Sequence, residues 1–189
     1  MNVETLAIPE VKLLTPARYA DSRGFFSETW NAARFDAAGV PGPFVQDNHS
    51  VSAKTGTIRG LHCQVAPSVQ GKLVRVVKGA VWDVAVDIRV GSPTFGKHVA
   101  ATLSAENWSQ LWIPGGFLHG FCTLEPDTEV IYKVTAPYDR AAERAVIWND
   151  PMLALPWPVA PDRVVLSDKD QAVGPLAADA DWFRYGYGV

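Results

Sequence analysis

The chain has 189 residues, 48% of them hydrophobic and 20% charged, the make-up of a soluble globular protein of one domain. Lys and Arg number 17 against 20 Asp and Glu, for a formal net charge of −3. That balance excludes nucleic acid as a main partner, since phosphate backbones select a basic face, but leaves room for a small anion held by a few local cations.

The opening, MNVETLAIPE, lacks a basic stretch followed by an apolar run and does not read as a signal peptide. No stretch approaches the roughly 20 apolar residues of a membrane helix. The cytoplasm is therefore the expected location, with Cys63 and Cys122 as free thiols rather than a disulfide. The one early helical segment is Ala32 to Ala38, capped by Asn31 and ended by Gly39; Pro41 and Pro43 forbid its continuation.

From Gln46 to Lys72 the polar residues are dense: VQDNHS, TIRGLHCQ and QGKLVRV. Arg59, His62 and Gln64 gather around Gly60, which lets the backbone bend tightly or approach a ligand. The run Lys72 to Ile88 then alternates as two strands about a Lys78-Gly79 turn. In its second half Trp82, Val84, Val86 and Ile88 point one way, and Val81, Asp83, Ala85 and Asp87 the other. Further strands are expected at Lys97 to Leu103, Ser109 to Ile113, Gly120 to Leu124 and Thr128 to Thr135. Beyond Pro151 the proline-rich PMLALPWPVAPD reads as an extended wrap over the surface. The expected fold class is all-β: a double-sheet, cupin-like jelly roll with N- and C-terminal extensions and a few short helices. It is read as a single domain over 1–189, with the core at roughly 44–136 and the wrap at 151–189.

Within LWIPGGFLHGF, Pro114, Gly116 and His119 match the second signature of the cupin jelly rolls, P-x-G-x-x-H. Metal-bearing cupins carry H-x-H and a nearby Glu in the first signature. Here Gln64 follows His62, and no Glu lies between Gln64 and Asp83. Only His62 and His119 stand in ligand positions, too few for zinc or iron, so neither a metal nor any other cofactor is expected. An imidazole freed from a metal can pack and hydrogen-bond, or can move protons near neutral pH.

The blocks DSRGFFSETW, FVQDNHS, IRGLHCQ, QGKLVRVVKG, VWDVAVDIR, SPTFGK, LSAEN, LWIPGGFLHGF, IYKVTAPYD, IWNDP and LSDKD resemble, in order and spacing, the dTDP-4-dehydrorhamnose 3,5-epimerase family over nearly the whole chain. The departure inside a motif is Cys63, where family members often carry an aromatic residue. The resemblance implies an isomerase of dTDP-L-rhamnose biosynthesis. Its substrate would be dTDP-4-dehydro-6-deoxy-D-glucose, inverted at C3 and C5, and its product would feed a polysaccharide. Such chemistry needs a base on one face, a stabiliser for the enolate oxygen and an acid on the other face. No hydride moves, and no Gly-rich dinucleotide fingerprint is present.

The resemblance implies His62 as the base and Asp170 as its paired carboxylate, which would orient the imidazole. It implies Lys72 as the cation at the C4 oxygen and Tyr132 as the acid. Arg23, Glu28, Gln46, Asp47, Asn48, Arg59, His119, Glu143 and Lys169 match positions that hold the nucleotide, diphosphate or sugar. Tyr138 matches the residue that stacks on thymine. The family typically forms homodimers, with an N-terminal segment containing Arg23 and Phe26 completing the partner's site. His49 and His98 match no catalytic position and read as structural, and Asp83 and Asp87 read as a cavity lining or a solvated face. Three other functions compete: an epimerase inverting only C3, a binding module holding a nucleotide sugar, and a metal-dependent cupin.

Overall fold

A computed structural model describes residues 1–186. Its strands form two main sheets. The six-stranded sheet runs, in spatial order, β1 (Asn2–Thr5), β2 (Lys12–Thr15), β11 (Gln110–Ile113), β7 (Lys72–Lys78), β13 (Thr128–Val134) and β5 (Gln46–Ser52). The five-stranded sheet runs β10 (His98–Ser104), β8 (Ala80–Asp87), β12 (Phe117–Thr123), β6 (Ile58–Gln64) and β14 (Glu143–Ala145). All pairings within both sheets are antiparallel. This is the expected jelly roll. The sheets also draw β1, β2 and β14 from outside residues 44–136.

The β7–β8 junction falls at Gly79, whose φ of 74° suits the expected turn. Inward-facing Val74, Val76, Val81, Ala85, Phe117, Phe121 and Val130 make the core between the sheets. The opposite face of β8 is buried as well: Val84, Val86 and Ile88 pack with Leu153, Leu155, Leu176 and Phe183 from the C-terminal segment. Burying a side chain of that size stabilises by about 1.5–3 kcal/mol, so the wrap is an integral layer. Trp157 anchors it, edge-on to Trp82 with centroids 5.1 Å apart and donating from Nε1 to the Trp148 carbonyl at 2.7 Å.

The outer face of the six-stranded sheet is covered by α1 (Ala32–Ala37), whose Phe35 packs with Leu14, Leu73 and Trp112. Asn31 caps this helix by accepting from the Arg34 amide. Two further pairings are the antiparallel hairpin of β3 (Tyr19–Asp21) and β4 (Gly24–Phe26), and a parallel contact of β9 (Arg89–Val90) with β15 (Phe183–Arg184). Both cysteines are buried and free. Cys63 sits in the apolar layer behind β6, where burial pushes its thiol up to about 12.

Candidate active site

In a regular strand, residues three apart face opposite sides. Arg59 and His62 nonetheless line the same cavity, because β6 and β12 slip register between them: His119 pairs with His62, but Phe121 pairs with Arg59. Gly60 permits the slip. Its φ is 121°, and a Cβ there would lie 2.6 Å from the His119 carbonyl oxygen and 2.7 Å from Gly120 Cα. Any larger residue would push two backbones apart.

The cavity between the sheets has a volume of about 260 Å³ and is lined by Ser50, Arg59, His62, Lys72, His119, Phe121, Tyr132, Ser167, Lys169 and Asp170. Asp170 arrives from α2 (Asp168–Gln171) of the C-terminal wrap. Two backbone bonds pin the wrap beside the start of β6: the Val165 amide donates to the Gly56 carbonyl, and the Ile58 amide to the Val165 carbonyl. This brings Asp170 Oδ1 to 2.7 Å from His62 Nε2, across 108 positions of sequence. Ser167 locks the carboxylate, its Oγ donating to Asp170 Oδ2 at 2.9 Å and accepting from the Asp170 amide at 3.1 Å. Burial works to raise the Asp170 carboxyl, but His62, with Ser167 and Lys169, outweighs it and holds the group below the usual range.

Lys72 projects from the opposite sheet. It has no salt bridge among the described residues, and burial lowers its pKa against the pull of Cys63, Asp83 and Glu143. A partly desolvated ammonium without a counter-ion suits a developing oxyanion. Tyr132 comes from the same sheet; burial raises its pKa, so its phenol is protonated at neutral pH and able to donate.

His119 donates to Asp83, with Nε2 at 3.0 and 3.1 Å from the two carboxylate oxygens. Burial lowers the His119 pKa despite Asp83, and a neutral ring donating from Nε2 leaves Nδ1 an acceptor. Asp83 and Asp87 are both fully buried, which corrects the solvated-face reading. Asp83 underpins His119. Asp87 instead accepts from Arg89, Ser92 and Thr94. Gln64, where metal-bearing cupins have a ligand, donates to the Ser68 and Pro137 carbonyls and accepts from the Asp139 amide. Among the described residues no group of three or more His, Cys, Asp or Glu side chains is placed to hold a metal.

A second network joins Lys169, Glu143, Tyr138 and Gln46. Lys169 Nζ lies 2.6 Å from both Glu143 carboxylate oxygens, the Tyr138 hydroxyl donates to Glu143 at 3.0 Å, and the Tyr138 amide donates to Gln46 Oε1 at 3.1 Å. Tyr138 is 54% exposed, its ring free to stack. Gln46 also donates to Asn48, and both lie on the face of β5 that carries Ser50.

Other expected site residues lie elsewhere. Asp47 points to the opposite face of β5 and pairs with Lys133. Arg23 pairs with Asp21 on the β3–β4 hairpin, where Phe26 is 71% exposed. Glu28 pairs with Arg34. None of these four lines the cavity. His49 bonds Glu129 at the surface. Ser50 and Ser167 were not singled out from sequence, and Asp83 was read there only as a lining or solvated acid; its usable signal was an acid amid apolar residues on both faces of a strand.

Residues 5–178 match the family model of dTDP-4-dehydrorhamnose 3,5-epimerase. The chain belongs to the dTDP-4-dehydrorhamnose 3,5-epimerase family. Curated dTDP-4-dehydrorhamnose 3,5-epimerases from Shigella flexneri and Sinorhizobium fredii are 51% and 49% identical to it. Those alignments cover 97% and 98% of this chain, and 99% and 94% of the relatives. A crystal structure of a dTDP-6-deoxy-D-glucose-3,5-epimerase from Legionella pneumophila Philadelphia 1, in complex with dTDP-4-keto-L-rhamnose, superposes with a TM-score of 0.91 at 45% identity, covering 97% of this chain and 98% of that one.

The His62–Asp170 bond of this family member has a consequence for acid stability. Because the folded Asp170 carboxyl is depressed, its contribution is complete above the unfolded value near ~4 and is lost as pH falls through the lower folded value. In denaturant melts from neutral pH to about pH 2, the advantage of wild type over Asp170→Asn is expected to shrink below about pH 4. A gap that stays constant with pH would show that the ionised carboxylate is not what stabilises.

Proposed function

We propose that this chain inverts C3 and C5 of dTDP-4-dehydro-6-deoxy-D-glucose to give dTDP-4-dehydro-L-rhamnose in dTDP-L-rhamnose biosynthesis, with His62 as base and Tyr132 as acid. The observation that carries the reading is that His62 and Tyr132 come from facing sheets and line one cavity. A sugar held between them would meet a base on one face and a proton donor on the other. His62, oriented by Asp170, takes the proton from the carbon next to the ketone. The electron pair moves onto the C4 oxygen, where Lys72 stabilises the enolate. Tyr132 then protonates the same carbon from the opposite side, and the cycle repeats at the second carbon. The pair resets by losing the His62 proton to solvent and regaining one at Tyr132, with no net redox change. His119, held by Asp83, would accept from a sugar hydroxyl. Arg59, with its planar fork of donors, serves the diphosphate. Gln46, Asn48, Glu143 and Lys169 would border the nucleotide, and Tyr138 would stack on thymine.

The protein would act as a homodimer. The β3–β4 hairpin exposes Tyr19, Phe25 and Phe26 by 62%, 53% and 71%, a cluster of rings that a second copy would cover. On this reading Arg23, Phe26, Glu28 and Asp47 serve at or across that interface. On the same reading the chain acts as one domain, in the cytoplasm. No helix of the described residues is long and apolar enough to cross a membrane.

The test is proton NMR of the purified protein with the 4-keto sugar nucleotide in deuterium oxide. The expected result is deuterium at C3 and C5 with an L-configured product, at a rate unchanged after prolonged chelation. Inversion at C3 alone would reassign the reaction. Loss of turnover on chelation, restored by one metal, would overturn the cofactor-free mechanism.

A further inference from the structure

Among the described residues, the Ser50 hydroxyl is the one buried side-chain polar atom without a hydrogen-bond partner. Such a group carries its desolvation penalty uncompensated, which is tolerated where a ligand supplies the missing bond. Ser50 lines the cavity that also holds His62, Lys72 and Tyr132. Its neighbours on β5 hold Arg59: Arg59 Nε donates to Ser52 Oγ at 3.1 Å, and Nη2 to the Val51 carbonyl at 3.0 Å. The remaining guanidinium nitrogen, Nη1, has no partner among the described residues. Ser50 and Ser52 share a face of the strand, roughly 7 Å apart along it. Two uncommitted donors, the neutral Ser50 hydroxyl of β5 and the charged Arg59 of β6 held against it, therefore border the same cavity.

We infer that the Ser50 hydroxyl is a substrate contact, donating with Arg59 to the phosphate attached to the sugar. The inference rests on the functional reading above. Because the cavity also contains the proposed base and acid, the phosphate these donors meet is the sugar-linked one rather than the one on the nucleoside.

Calorimetric titration of wild type and Ser50→Ala with dTDP and with dTMP, alongside thermal melts of the free proteins, tests this. A hydrogen bond to a charged acceptor is worth about tenfold to hundredfold in affinity. Ser50→Ala is expected to weaken dTDP binding by that factor, leave dTMP binding near wild type, and leave the melting temperature of the free protein unchanged or raised, since it removes an unsatisfied hydroxyl. A lowered melting temperature with unchanged dTDP affinity would make Ser50 structural and overturn the inference. Unchanged dTDP affinity with a raised KM for the sugar nucleotide would also overturn it, moving the contact to a sugar hydroxyl. Equal losses for dTMP and dTDP would place it on the wrong phosphate. A wild type that binds no dTDP would overturn the functional reading itself.

Discussion

His62→Ala is expected to stop solvent deuterium entering the sugar at both carbons beside the ketone, while binding of dTDP persists. In the proposed mechanism one imidazole serves both positions, since each proton sits next to the same carbonyl. Removing a general base typically costs about 10²–10⁴-fold, and losing the step that starts enolisation should fall at or above that range. The substitution leaves Asp170 without its 2.7 Å partner, but Ser167 still holds that carboxylate, so the fold should survive. Arg59 keeps its strand contacts, and Glu143, Tyr138 and Lys169 keep their mutual bonds, which is why nucleotide affinity should be retained. Loss of dTDP binding in proportion to activity would reassign His62 from chemistry to recognition.

Tyr132→Phe separates the two halves of the reaction. The ring and its packing against the core between the sheets remain, and only the donor goes. Enolate formation is still open to His62, which can return a proton to the face it came from, exchanging label without changing configuration. In deuterium oxide this variant is expected to incorporate label faster than it forms L-configured product, whereas wild type couples the two. Wild-type rates of both exchange and product formation would remove Tyr132 from the mechanism. A variant that neither exchanges nor epimerises would assign the hydroxyl to enolate formation instead.

The strand pattern was legible because alternation survives in a one-dimensional string. Trp82, Val84 and Val86 do face away from Val81, Asp83 and Ala85, and the turn does fall at Gly79. What alternation could not show is that both faces of β8 are covered, one by the opposing sheet and the other by the wrap. Asp83 was therefore read as lining or solvated when it is a fully buried partner of His119. The R-G-x-H spacing flagged Gly60, but the register slip that turns Arg59 and His62 to one side depends on β12, some sixty residues away. Gln46, Asp47 and Asn48 formed one polar block in sequence, yet strand geometry splits them, sending Asp47 to the other face. Ser50 and Ser167 carry no chemical signature, since a serine announces itself only through its neighbours in space.

The wrap that delivers Asp170 also sets an order of events in the life of the chain. A ribosome releases the strand bearing His62 long before α2, since synthesis runs from the N-terminus. Both sheets can be complete once β14 has emerged, yet the imidazole still has no carboxylate to orient it. A nascent or nicked chain lacking the residues after β14 would thus hold its histidine unaligned. Only when α2 has emerged can Asp170 reach the His62 imidazole.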